Sequence, residues 1–155
     1  MFGFLSAKVT PADGGPDRDL GIVSCRQVTM AFADRLVDAM LSSGEIVDHF
    51  NQHKQGSGST AEASGDTALV TPDSVCQAVT GGAACTHGAT SNVYRTIGTL
   101  VASTAYEIRE HGGFCASTAA GSYVLLDRSV VTAIAVNADD TVTWTYNLTI
   151  DSETL

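Results

Sequence analysis

Four histidines, four cysteines and scattered carboxylates are the side chains of this chain best suited to chemistry, and their spacing limits what they can do. His49 and His53 lie four apart, with Cys76, Cys85, His87, His111 and Cys115 as further candidate zinc ligands. The stretch around the first two reads as strand, where an even separation puts both on one face but about 13 Å apart, too far for one ion. Cys76, Cys85 and His87 lack the paired short spacings of zinc ribbons and fingers. The expectation is therefore no metal, with thiols buried and histidines at the surface.

Glu107, Glu110 and Asp127 could supply a carboxylate pair, His111 a base and any of many serines a nucleophile. No nucleophile elbow or comparable motif brings such groups together. Over residues 105–112, strand alternation sends Tyr106, Ile108 and Glu110 to one face and Glu107, Arg109 and His111 to the other. That predicts one polar face and a buried or rim carboxylate, Glu110, held by hydrogen bonds. Residues 55–61, Gln-Gly-Ser-Gly-Ser-Thr-Ala, match the glycine-rich dinucleotide pattern letter by letter. Its chemistry needs an apolar strand before the loop and a helix opening at the third small residue, so that free N–H groups meet pyrophosphate. Here His-Asn-Gln-His-Lys-Gln leads in and Glu-Ala-Ser-Gly-Asp follows, which predicts a flexible inter-strand loop. Asn147-Leu148-Thr149 is a glycosylation acceptor in form only, since no export signal is read. The chain is thus expected to have no catalytic residues and no cofactor, and not to be an enzyme.

The elements that would position these groups are mostly strands. Stretches rich in Val, Ile, Thr and Tyr at residues 45–54, 67–70, 93–102, 106–115, 123–136 and 141–150 are separated by Gly, Ser and Asp clusters. In the last, Val142, Trp144, Tyr146, Leu148 and Ile150 alternate strictly with Thr141, Thr143, Thr145, Asn147 and Thr149, so one face is core and the other wet. Asn137-Ala138-Asp139-Asp140 reads as a turn joining 123–136 to 141–150 in an antiparallel hairpin. One helix is predicted over Thr29 to Ser43, with Phe32, Leu36, Val37, Met40 and Leu41 at helical spacing and Gly44 as its stop. Short strands without alternating helices argue for a small antiparallel sandwich or barrel with one short α-helix. Residues 1–24 form a separate unit: Phe2, Phe4 and Leu5 precede a Gly, Pro and Asp-rich run that reads as an extended N-terminal arm. Residues 25–155 are then a single mainly β domain. Phe2, Phe4 and Leu5 are its candidate partner-binding residues, because exposed aromatics are costly unless something covers them; a tail folded back on its own domain is the alternative.

Composition narrows the partners. Charged residues make up 16% of the 155, below the roughly 25% of an average domain, so the surface is hydroxyl-rich. Eight Lys and Arg against 17 Asp and Glu leave a net charge of -9, with the basic residues scattered singly. No phosphate-tracking patch exists, which disfavours direct contact with nucleic acid or an anionic membrane. Apolar runs of about four or five residues are far short of the ~20 a spanning helix needs. The unevenly placed cysteines do not suggest a disulfide scaffold, and all four are expected as free thiols.

The order of several segments resembles a group of small structural proteins of tailed bacteriophages. The resemblance runs through residues 22–28 (Ile-Val-Ser-Cys-Arg-Gln-Val) leading into the helix, 49–53 (His-Phe-Asn-Gln-His), 56–62 and 65–70. It continues through 92–99 (Asn-Val-Tyr-Arg-Thr-Ile-Gly-Thr), 110–114 and 125–130 to Asp140-Thr141-Val142-Thr143-Trp144, and leaves the arm unmatched. It implies a virion protein: a head decoration or cement subunit, with a tail, neck or fibre-attachment component second. The implied partners are the major capsid protein or other virion proteins and further copies of the chain. A reading from a different class is a receptor or carbohydrate-binding β domain using Tyr94, Tyr106 or Tyr123 as stacking surfaces.

Overall fold

A strand with one buried side must present every second residue to the core. In the computed structural model Val142, Trp144, Tyr146 and Leu148 are each at most 3% exposed, while Thr141, Thr143, Thr145, Asn147 and Thr149 alternate with them on the opposite face. The structure describes residues 2–31, 33–34, 52–73, 86–90, 93–116 and 123–149. Eight strands run in order β1 (Phe2–Thr10), β2 (Arg18–Gln27), β3 (Gln52–Gly56), β4 (Thr86–Thr90), β5 (Val93–Val101), β6 (Tyr106–Ala116), β7 (Tyr123–Val136) and β8 (Thr141–Thr149). They form two antiparallel sheets, A in the order β2-β1-β8-β5-β4 and B in the order β3-β6-β7. The chain is mainly β and sandwich-like, with no closed barrel among the described residues. Its core is shared between the layers: Leu5, Val9, Leu100 and Trp144 from sheet A pack with Ile108, Leu126, Ile134 and Val136 from sheet B.

The N-terminal residues are not an arm. β1 lies inside sheet A, paired with β8 from Phe2↔Thr149 to Thr10↔Thr141 and on its other side with β2. Leu5, Ala7 and Val9 alternate into the core at 3% exposure or less, and the Gly, Pro and Asp-rich run is the connection of the β1–β2 hairpin. Burying Leu5 and Val9 is worth roughly 1.5 to 3 kcal/mol each, which a free arm would forgo. Of the candidate partner-binding residues, Leu5 is therefore core, Phe4 is half-buried on the outer face, and the Phe2 side chain lies outside the described residues.

β7 and β8 do not pair as the expected hairpin. Their connection passes from sheet B to sheet A, with Asp139 at φ 65. Asp140 fastens this crossing: its carboxylate accepts the N–H groups of Asn137 and Ala12, both at 2.9 Å. These bonds hold the carboxyl below its ordinary range. Alternation reports which face is buried, not which strand lies alongside.

The segment 67–70 forms no strand; Leu69 is instead a buried plug against Phe114 and Leu125. Of the helix expected over 29–43, Met30, Ala31, Ala33 and Asp34 are helical, with the Ala33 N–H bonded to the Thr29 carbonyl. Phe32, 35–43 and the 45–51 part of the next expected strand lie outside the described residues, as do the Cys76, Cys85 and Cys115 side chains. Cys25 is an exposed thiol.

Candidate functional site

The polar side chains of the interior fall on the two faces of sheet B, and a bulge sorts them. Against β7, β6 shifts register between Ile108 and Glu110. Ile108 and His111 consequently both turn toward sheet A, while Glu110 turns to the far side. The expected partition, with His111 beside Glu107 and Arg109 on a wet face, is corrected by this irregularity, where β7 advances four residues (Val130 to Ile134) for two of β6. Glu107 and Arg109 are exposed and bond to each other at 2.6 Å, whereas His111 is fully buried.

Between the sheets, strand register makes neighbours of residues distant in sequence. Gln55 of β3 stands opposite His111 of β6, and His53 opposite Gly113. His53 Nδ1 lies 2.9 Å from His111 Nε2, and His53 Nε2 lies 2.9 Å from Thr96 Oγ1 on β5. The His111 ring centroid is 4.6 Å from that of Trp144 on β8. Trp144 Nε1 donates to Gln55 Oε1 at 2.9 Å, and Gln55 Nε2 donates to the Tyr106 hydroxyl at 2.9 Å. Room for His53 comes from Gly98 of β5, where a Cβ would sit 2.6 Å from the imidazole Cδ2. Burial pushes His53 down to about 4, and burial together with the neighbouring His53 pushes His111 well below the ordinary histidine range. Both imidazoles are neutral at pH 7.

On the outer face of sheet B lies a charged cluster. The Glu110 carboxylate, with no exposed surface, accepts N–H groups of Gly58 (3.2 Å), Val70 (3.0 Å) and Thr71 (2.7 Å) and the Arg128 Nε (2.9 Å). Arg128 also donates to Asp66 Oδ2 and to the Thr60 carbonyl, each at 3.0 Å. Glu62 accepts the Val130 N–H of β7. Residues 57–73 are thereby laid over sheet B, and the glycine-rich stretch read as a flexible loop is bonded to a buried ion pair. Gly58 is needed for this approach, since a Cβ there would meet Glu110 Oε1 at 2.5 Å. The expected buried carboxylate, held by hydrogen bonds, is Glu110 itself.

Sequence reading named His53, His111, Glu110 and Asp127 individually but missed their assembly. The two imidazoles are 58 residues apart, and only the β3–β6 register joins them. Arg128 carried no signal beyond being a lone cation inside an apolar stretch. His49 lies outside the described residues. Among the described residues, no three His, Cys, Asp or Glu are grouped to hold a metal ion. Asp127 accepts the Ser129 hydroxyl at 3.0 Å within β7, buried like His111 opposite Ser129. Of the candidate stacking tyrosines, Tyr94 and Tyr106 pack against the core, and the Tyr123 side chain is outside the described residues. Tyr106 also lines a shallow polar hollow of about 250 Å³ with Ser57, Thr71, Asp73 and Thr104. No family model matches this chain, and neither does any curated protein or solved structure.

Proposed function

We propose that this chain is a structural protein of a tailed bacteriophage virion, a head decoration (cement) subunit that lies on a shell of major capsid protein beside further copies of itself. The observation that carries this reading is the outer face of sheet A. Its central strand β8 presents a row of four threonines and Asn147, flanked in register by Ser6, Lys8 and Thr10 of β1 and by Arg95, Ile97 and Thr99 of β5. β1, β8 and β5 contain no carboxylate, in a chain of net charge -9. Another protein can approach there without like-charge repulsion, and the hydroxyls suit a wet, hydrogen-bonded interface. The groups best suited to chemistry, His53, His111, Glu110 and Arg128, are engaged in holding the layers together, which supports a structural role over a catalytic one. A subunit that binds only the assembled shell stabilises it by mass action.

Two measurements test this. Densitometry of purified particles should give hundreds of copies, and a handful would move the chain to the neck or tail. Thr143→Arg with Thr145→Arg should leave the circular dichroism of the isolated chain unchanged and abolish co-sedimentation with shells. Full retention of that variant would overturn the reading.

A further inference from the structure

The neutral imidazoles of His53 and His111 share two ring protons among four nitrogens. Nδ1 of His53 and Nε2 of His111 face each other at 2.9 Å, a gap that holds one proton and not two. With three protons on the pair, one lies in the gap and each outer nitrogen must carry one of the other two. His53 Nε2–H could donate to Thr96 Oγ1, but His111 Nδ1 is buried without a hydrogen-bond partner, so its N–H would be orphaned. A fourth proton cannot enter while the rings remain in contact.

One anion, the Asp127 carboxylate, shares this side of sheet B, and it accepts the Ser129 hydroxyl. β8 presents the Trp144 ring and the Tyr146 phenol, whose pKa is raised by burial and by the Asp127 charge. β5 presents the Thr96 hydroxyl and the Gly98 backbone. From β7, Ser129 stands opposite His111 and Asp127 opposite Gly113. On β3 the Gln55 amide is engaged with Trp144 and Tyr106. The charges of Lys54, Glu110 and Arg128 lie on the other side of sheet B, over Phe114 and under residues 57–73.

We propose that the His53–His111 pair is an acid-labile latch that joins the two sheets when neutral and releases them in mild acid. Unfolded histidine titrates near 6.5. In the folded chain both groups are depressed, His53 to about 4. The native state then binds fewer protons than the unfolded one, so the latch's contribution is full above about pH 6.5 and is lost as pH falls toward 4. The window is distinct from that of Asp140, whose carboxyl is held below its ordinary 3.8. Below pH 6 the unfolding constant should rise at least about tenfold per pH unit, because the second proton never fits, and up to about 100-fold if neither does.

Urea unfolding of the full chain between pH 7 and 4.5 reads this slope directly. The double variant His53→Asn, His111→Phe should lose at least one tenfold step per pH unit across that range; wild-type acid dependence in that variant would overturn the latch. Nitrogen-15 spectra of the wild-type imidazoles decide the matter without any variant. Neutral shifts for both rings in the folded protein down to pH 5.5 are expected, and an imidazolium signal from both rings there would refute the proposal.

Discussion

The two faces of sheet B solve the burial of polar groups in opposite ways. Toward sheet A the buried polar groups centre on two neutral imidazoles and the Gln55 amide, with the Asp127 carboxylate beside them, and one imidazole nitrogen, His111 Nδ1, has no partner. On the far side Glu110 and Arg128 are ionised, and the carboxylate accepts four hydrogen bonds. The difference follows from what covers each face. A sheet offers side chains only, because its backbone groups are committed to the ladder, whereas a loop such as 57–73 still has N–H groups to aim inward. A loop can therefore surround a buried charge with several N–H donors at once, which a second sheet cannot do.

The sharpest way to break this contrast is at the neutral joint. Trp144→Ala removes a fully buried indole, its contact with His111 and the donor to Gln55, and should cost roughly 3 to 5 kcal/mol in chemical denaturation. That is a large share of the 5 to 15 kcal/mol typical of a folded domain. On the charged face, Glu110→Ala leaves Arg128 buried with only part of its pairing and three loop N–H groups without their acceptor, a loss of about 3 kcal/mol. Glu110→Leu combined with Arg128→Met should cost clearly less than the two single changes added together, since it leaves no unpaired charge. Additive losses would mean that the pair is not the unit that holds the loop. Lys8 and Asp17 form an exposed pair at 2.5 Å, and Lys8→Ala should leave the denaturation midpoint unmoved, which separates a surface charge pair from a buried one.

How much of this was legible in the sequence differs by element. β8 declared its faces because four large apolar residues alternate with small polar ones, and β7 runs from Tyr123 to Val136 as its composition suggested. β1 was equally periodic, with Leu5, Ala7 and Val9 alternating against Ser6, Lys8 and Thr10. The Gly, Pro and Asp-rich run after it drew the reading toward an arm, when such residues serve a hairpin connection just as well. The β6–β7 register shift was illegible because nothing in residues 106–111 or 130–134 marks it, and it reversed the face assigned to His111. The histidine pair and the Glu110–Arg128 clamp are products of register between distant strands, which local pattern cannot contain.

The place of β1 between β2 and β8 also bears on how the chain reaches this state. Ser6 donates to the Thr145 carbonyl across 139 residues, and the whole β1–β8 ladder closes loops of similar length. Native pairing at such separation makes for slow folding, because the entropy of closing the chain is lost before the contacts form. During synthesis β1 and β2 emerge first and must wait, with Leu5, Ala7 and Val9 uncovered, until β8 has been made. Over that interval β1 offers an unpaired apolar edge to any other nascent copy, so the yield of folded chain should depend more on expression rate and temperature than on the stability of the finished protein.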